Sequence, residues 1–171
     1  CTFCDDFDDS TLDPNWTYIK NSSFWSENGT SLLGSNTRKT TAVATVYAGC
    51  LVCYAETTMR TAGGGGNRLW LLHHWVDKKN VVELLMKEEN DRWVLKHRVN
   101  GAVVAKQKYL LQIDPNTDYV VRITYDGANY IASVNGTALS PPLTPGGPVT
   151  QGTAGLRVKG TTGTFDRIEI N

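Results

Sequence analysis

Asn-Gly and Asp-Gly dipeptides divide the middle of this chain into short, strand-like segments. Asn100-Gly101, Asp126-Gly127 and Asn135-Gly136 each follow a run rich in Val, Ile, Leu, Trp or Tyr. These dipeptides favour hairpins, because both central positions of a type I′ turn need a positive φ. The strands predicted here are Arg68–Asp77, Val81–Lys87, Trp93–Val99, Ala102–Leu111, Tyr119–Tyr125 and Tyr130–Val134. No long helix fits between them, so the sequence predicts antiparallel sheet.

Further strands are predicted on both sides of this region. They are a short edge segment within Cys1–Phe7, then Trp16–Lys20, Phe24–Glu27, Ser31–Gly34, Thr40–Tyr47, Cys50–Arg60, Thr153–Lys159 and Thr164–Asn171. Ser140–Gly152 holds four of the six prolines and is predicted to be a loop. About a dozen short strands predict an all-β fold of two packed antiparallel sheets. The length of 171 residues predicts one domain, 1–171.

The charge balance bears on possible partners. The chain has 17 Lys+Arg and 17 Asp+Glu, so its formal net charge is zero. No basic excess is available to neutralise phosphates, and a nucleic-acid partner is not expected. No apolar run approaches the roughly 20 residues of a membrane helix, so no membrane-spanning segment is predicted.

Period-two alternation places several polar side chains on one face of the predicted sheet. Glu83, Lys87, Lys96 and Arg98 share that face, and His73 or His74 is expected to join them. Tryptophan is a common sugar platform, because the C–H face of a pyranose packs on an aromatic ring. The candidate ligand-binding residues are Trp70, His74, Glu83, Lys96 and Arg98. Cross-strand ion pairs on a solvated sheet would give the same pattern, and a single tryptophan is also a common core residue.

The four cysteines form two Cys-x-x-Cys pairs, Cys1/Cys4 and Cys50/Cys53. In an extended strand, residues i and i+3 lie about 10 Å apart, which is too far for a disulfide. If Cys50 and Cys53 lie in a strand, they bridge to the Cys1/Cys4 segment or share a tetrathiolate zinc site. We expect disulfides involving all four cysteines, with zinc as the alternative.

An acidic cluster near the amino end suggests a cation site. It contains Asp5, Asp6, Asp8, Asp9 and Asp13. Calcium takes six to eight oxygen ligands, several of which a loop of this kind can supply. Aspartates that cap turns in a solvated loop are the alternative.

Three motifs resemble those of concanavalin A-like lectin and glucanase modules, a group that includes laminin G-like domains. The first is Cys4-Asp5-Asp6-Phe7 followed by Leu12-Asp13-Pro14-Asn15-Trp16. The second is the segment from Leu72 to Asn80 with Val99-Asn100-Gly101, and the third is Ala154-Gly155-Leu156-Arg157-Val158 with Gly163-Thr164-Phe165-Asp166-Arg167-Ile168. The resemblance implies a two-sheet jelly-roll sandwich. It also implies pairing of the first and last strands, which would bring Asp166 towards Asp5 or Asp6 as calcium ligands.

The resemblance also implies a function class. Modules of this kind serve extracellular carbohydrate binding, adhesion or surface attachment in secreted bacterial proteins. Hydrolases of the resembled fold carry Glu-x-Asp-x-x-Glu on one strand, whereas this chain has only Glu83 on Val81–Lys87. We therefore predict a non-catalytic module, extracellular or at the cell surface, with a glycan or a cell-surface component as its partner. A self-assembling structural subunit is the alternative, and a glycoside hydrolase is a third reading.

Overall fold

The computed structural model of the protein describes residues 3–11, 13–20, 22–36, 42–46, 51–64 and 66–171. Its strands, in chain order, are β1 (Phe3–Asp5), β2 (Trp16–Lys20), β3 (Trp25–Glu27), β4 (Leu32–Asn36), β5 (Ala42–Val46), β6 (Tyr54–Thr61), β7 (Arg68–Asp77), β8 (Asn80–Lys87), β9 (Arg92–Val99), β10 (Ala102–Leu110), β11 (Tyr119–Tyr125), β12 (Tyr130–Val134), β13 (Thr137–Ala138), β14 (Thr153–Lys159) and β15 (Thr161–Ile170). Two single-turn 3-10 helices occupy Ser22–Phe24 and Glu88–Asn90. Among the described residues, the structure has no helix with the length and apolar character needed to span a bilayer.

The described strands form two antiparallel sheets. The eight-stranded sheet has the order β13-β12-β11-β6-β15-β4-β3, with β1 paired to β15. The seven-stranded sheet has the order β10-β9-β8-β7-β14-β5-β2. The prediction of two antiparallel sheets is confirmed, and so is the pairing of the first and last strands.

Turn chemistry explains the central hairpins. Both residues of Asn100-Gly101 and of Asn135-Gly136 have positive φ, between 49° and 86°. This is the conformation that a type I′ turn requires. The neighbouring β8–β9 hairpin turns through the 3-10 helix Glu88–Asn90, and its register sets Glu83 opposite Lys96 and Lys87 opposite Arg92.

The core fills the space between the sheets. Leu69 and Leu71 on β7, Leu84 on β8 and Leu156 on β14 each have no exposed surface and belong to the main apolar cluster. Their sequence neighbours face the opposite side of the seven-stranded sheet. We call that side, which points away from the eight-stranded sheet, the outer face.

One predicted strand begins later than expected. Cys50–Arg60 was expected to be extended throughout, but β6 starts at Tyr54, and Leu51 and Val52 form a bend. A disulfide within the Cys50/Cys53 pair is ruled out only in an extended chain, so the bend at Leu51 and Val52 removes that objection.

Candidate functional site

The outer face of the seven-stranded sheet carries a second apolar cluster, separate from the core. It consists of Trp70, Leu72, Trp75, Val81, Leu85 and Val94. These side chains lie on β7, β8 and β9 and are each at most 6% exposed. Long charged side chains, among them Glu83, Lys96 and Arg157, lie on the same face. This face is therefore packed and ordered, which distinguishes it from a solvated polar surface.

Glu83 lies at the centre of this face and is 1% exposed. Its carboxylate accepts hydrogen bonds from Arg157 Nη1 at 2.9 Å and from Arg98 Nε at 3.2 Å. Lys96 Nζ lies 3.6 Å from the same carboxylate. Burial of a carboxylate is costly unless opposite charges and donors surround it. We call Glu83, Lys96, Arg98 and Arg157 the Glu83 cluster.

The register places each member of the cluster. Lys96 on β9 is directly opposite Glu83, while Arg157 on β14 is opposite Trp70 on β7. Arg157 therefore reaches across β7 to contact Glu83 on β8. Burial lowers the pKa of both Arg157 and Lys96, and Glu83 acts in the opposite direction.

Two tryptophans hold Arg157 in place. Its guanidinium carbon lies 5.2 Å from the ring centroid of Trp70 and 5.6 Å from that of Trp75, within the range of cation–π contacts. Each tryptophan is only 6% exposed, so neither presents an open ring face. Trp70 was predicted as a sugar platform, but in the structure its ring positions a cation. Its indole Nε1 has no hydrogen-bond partner among the described residues.

A shallow depression of about 210 Å³ continues the outer face towards the β8–β9 turn. Leu85 and Val94 form its apolar floor. Its basic lining consists of Arg68, Lys87, Arg92, Lys96, Lys106 and Lys108. We call this feature the basic depression, and Lys96 connects it to the Glu83 cluster.

His74 does not join these residues, contrary to the prediction. It is 3% exposed and hydrogen-bonds through Nδ1 to Tyr130 Oη at 2.9 Å and through Nε2 to the carbonyl oxygen of Leu51 at 3.0 Å. The cause is a bulge, because the β7–β8 register shifts between His73 and Asp77 and His74 has a φ of 48°. A bulge interrupts period-two alternation. His73 also lies inside the protein, with no exposed surface.

His73, His74 and Cys53 form a buried group whose donor atoms lie within 4.8 Å of one another. Burial lowers the pKa of His73 to about 3 and that of His74 to about 4, so both rings are neutral at pH 7. Both ring nitrogens of His74 already have hydrogen-bond partners, and Cys53 is not a free thiol. The group is therefore suited to packing and does not offer three open ligands to a metal ion.

The predicted calcium ligands Asp5, Asp6 and Asp166 do not form a group whose ligand atoms all lie within 4.8 Å of one another. Asp5 accepts hydrogen bonds from Trp16 Nε1 at 2.7 Å and from the Phe7 amide at 3.0 Å. Asp6 lines a different depression with Cys4 and Arg167, and Asp166 is exposed on β15.

A different acidic group forms around Glu27. Burial, together with the nearby Asp5 and Asp9, raises the pKa of Glu27 to about 7. Among the described residues, Cys53, His73 and His74 are the group that brings three potential ligand atoms within 4.8 Å of one another, so Asp5, Asp9 and Glu27 do not form an assembled ion site. Only Asp5 belongs to the predicted ligand set, and calcium binding stays a prediction.

The cysteine predictions are tested only in part. Cys1 and Cys50 lie outside the described residues, so the predicted disulfides stay a prediction. In the strand register, Cys4 on β1 lies opposite Glu169 on β15, and Glu169 lies opposite Glu56 on β6. Cys53 precedes Glu56 by three residues. Two strand spacings and three residues of rise separate the backbones of Cys4 and Cys53 by about 14 Å. That distance disfavours a zinc ion shared by all four cysteines.

Sequence reasoning missed Arg157 and Trp75 as members of this face. Arg157 alternates with the buried Leu156 and Val158 on β14, so its outward direction was readable from the sequence. Its position next to Trp70 was not, because strand order depends on contacts between distant segments. Trp75 reaches the outer face only because of the bulge at His74.

Comparisons with known proteins identify the fold. No protein-family model and no curated protein sequence matches the chain. Among solved structures, the carbohydrate-binding module CBM66 from Bacillus subtilis matches with a TM-score of 0.77 and 17% identity over 92% of this chain and 95% of that one. A prokaryotic β-1,3-1,4-glucanase (lichenase) from a mouse hindgut metagenome matches with a TM-score of 0.79 and 12% identity over 97% and 96%. The β-glucanase of Bacillus licheniformis matches with a TM-score of 0.75 and 12% identity over 97% and 95%. The chain therefore has the concanavalin A-like jelly-roll fold that its motifs predicted.

Proposed function

We propose that this protein is a non-catalytic carbohydrate-binding module that holds a glycan on the outer face of the seven-stranded sheet. The Glu83 cluster carries the proposal. It fixes the donor groups of Lys96, Arg98 and Arg157 around one buried carboxylate. Sugar hydroxyls and ring oxygens accept hydrogen bonds from such donors.

The fixed geometry of the donors favours binding. Arg157 is held by Glu83 and by Trp70 and Trp75, so a ligand would not have to order a flexible side chain. A pre-organised site loses less conformational entropy on binding.

The comparison with CBM66 supports this reading, because that protein is a carbohydrate-binding module with the same fold over nearly its whole length. A location outside the cell or at its surface follows from the proposal, since a module of this kind meets its polysaccharide there. Self-assembly, the alternative reading of the sequence, has no specific support among the described residues and is not proposed.

A catalytic role is less well supported. Glycoside hydrolysis commonly needs two carboxylates about 5–9.5 Å apart. Within the Glu83 cluster and the basic depression, Glu83 is the one described carboxylate, and its oxygens already contact cations. Because lichenase and β-glucanase share the fold, the protein should be incubated with β-1,3-1,4-glucan. We expect no new reducing ends, and turnover that Glu83→Gln abolishes would contradict the proposal.

Arg157→Gln tests the binding site directly. The wild type and the variant are screened on a glycan array, and the best oligosaccharide is titrated by calorimetry. We expect affinity to fall at least tenfold, because the central donor is lost. Arg122→Gln is the matched control, because Arg122 also pairs with a glutamate (Glu56, 2.7 Å) and lies 4.0 Å above an aromatic ring, but on the eight-stranded sheet. Equal losses in both variants would contradict the proposed site.

A further inference from the structure

The basic side chains of this protein are concentrated on one face. The Glu83 cluster and the basic depression together contain eight of the chain's 17 lysines and arginines. These eight are Arg68, Lys87, Arg92, Lys96, Arg98, Lys106, Lys108 and Arg157. The formal net charge of the whole chain is zero, so this face is strongly positive while the remaining surface carries a negative excess.

Acidic groups compensate only part of this charge. Glu83 contacts Lys96, Arg98 and Arg157, and Glu89 contacts Lys87 and Arg68. No carboxylate lines the basic depression. Arg92, Lys106 and Lys108 make no salt bridge within the described part of the chain.

Lys96 shows that positive charge is crowded here. Burial lowers its pKa, and both Arg98 and Lys106 lower it further, while Glu83 acts in the opposite direction. Lys106 stands directly opposite Lys96 on the neighbouring strand. Like charges in directly opposed positions destabilise a sheet, and an anion placed between them would remove that repulsion.

We infer that the glycan bound on this face is an acidic polysaccharide, whose negative groups enter the basic depression while neighbouring sugar units contact the Glu83 cluster. This inference rests on the proposed function and names its substrate class. The charge complementarity of the depression supports it. Uronate and sulfate-ester groups share the required chemistry, and separate probes distinguish them.

The structure favours a polysaccharide over a nucleic acid. Proteins that bind single strands stack the bases on aromatic rings, but Trp70 and Trp75 are each only 6% exposed. Duplex DNA is read by a helix or ribbon that enters a groove, whereas the basic depression is a recess in a sheet.

The test is a set of titrations with the whole chain at about 20 mM salt, where charge contacts are weakly screened. The probes are an oligogalacturonate, a heparin oligosaccharide, a neutral β-1,3-glucan oligomer and a ten-nucleotide single-stranded DNA. We expect at least one acidic oligosaccharide to bind more than tenfold tighter than the neutral one, with an affinity that falls as salt rises. The galacturonate and heparin arms show whether carboxylate or sulfate is preferred.

The Lys106→Gln/Lys108→Gln variant locates the contact, because both lysines are exposed on the edge strand β10 and are not needed for packing. Acidic-glycan affinity should fall about tenfold and depend less on salt. The control is Lys78→Gln/Lys79→Gln, the same charge change at the exposed β7–β8 turn. Equal losses in both variants, or tighter binding of the DNA, would overturn the inference. Binding of the neutral glucan alone would overturn the inference but keep the proposed function, and binding of no glycan would reject both.

Discussion

Glu83 is the residue on which the outer face depends. Its carboxylate is almost fully buried, and the positions of Arg98 and Arg157 follow from its hydrogen bonds. The same contacts keep Lys96 beside the basic depression. A change at this one residue therefore affects both stability and the geometry of the proposed site.

Replacing Glu83 with Gln should destabilise the fold. Three partly buried cations would lose their anionic partner, at a cost of about 2–4 kcal/mol in the free energy of unfolding. Urea denaturation measures this. The control is Glu56→Gln on the outer side of the eight-stranded sheet, where the more exposed pair with Arg122 should contribute under about 1 kcal/mol. A loss at Glu83 no larger than at Glu56 would show that the cluster is not structurally important.

Glu27 should make stability depend on pH. Its pKa in the folded protein is raised to about 7 from its ordinary value of 4.5, so between these pH values the folded state holds a proton that the unfolded state releases. The contribution of protonated Glu27 to the free energy of unfolding is fully present below about pH 4.5 and is lost as pH rises through about 7. Glu27→Gln should therefore raise the melting temperature at pH 8 and change it little at pH 4.5. A larger change in melting temperature at pH 4.5 than at pH 8 would contradict the raised pKa.

Calcium binding, which the sequence predicts at Asp5, Asp6 and Asp166, has a separate test. If these residues hold the ion, millimolar calcium should raise the melting temperature of the wild type at pH 8. The effect should be absent in Asp166→Asn and present in Glu27→Gln, since Glu27 is not in the predicted ligand set. An effect of equal size in Asp166→Asn and the wild type would contradict the predicted site.

At the level of elements, the bulge in β7 decides which side chains reach the outer face. Strict alternation would send His74 outward, but the register shift sends it inward and brings Trp75 to Arg157. Gly152 packs against the bulge, since a Cβ atom there would lie 2.6 Å from the backbone carbon of His74 and the backbone oxygen of Trp75. The bulge is therefore supported by a residue on the segment that leads into β14.

Gly152→Ala should disturb the bulge. The added methyl group meets backbone atoms that cannot rotate away, so the free energy of unfolding should fall by about 1–3 kcal/mol. Glycan affinity should fall as well, because Trp75 would shift against Arg157. Gly147→Ala is the control, since its nearest neighbour is a side-chain methyl of Val99 at 3.3 Å. If both variants unfold at the same denaturant concentration, the bulge does not depend on Gly152.

At the level of the whole molecule, charge is segregated although the net charge is zero. The protein should bind a cation-exchange resin at pH 7 and low salt through its basic face. Lys106→Gln/Lys108→Gln should elute at lower salt than Lys78→Gln/Lys79→Gln, although both variants have the same net charge. Elution of both variants at the same salt concentration would contradict the concentration of positive charge on the outer face.

The difference between local and long-range contacts explains which features the sequence could predict. Turn dipeptides such as Asn100-Gly101 act locally, so the hairpins and the shared face of Glu83, Lys96 and Arg98 were predictable. Strand order depends on long-range packing, so the approach of Arg157 to Trp70 was not. The bulge at His74 depends on packing against Gly152, and the alternation pattern carries no sign of it.

The most direct test of the glycan site is chemical-shift mapping. The protein labelled with ¹⁵N is titrated with the acidic oligosaccharide that binds best, and backbone and arginine side-chain signals are followed. The predicted result is that the largest shifts occur at Lys96, Arg98, Lys106 and Arg157, while Arg122 on the other sheet is unchanged. Shifts confined to Arg122 and the eight-stranded sheet, or to loops remote from Glu83, would contradict the account.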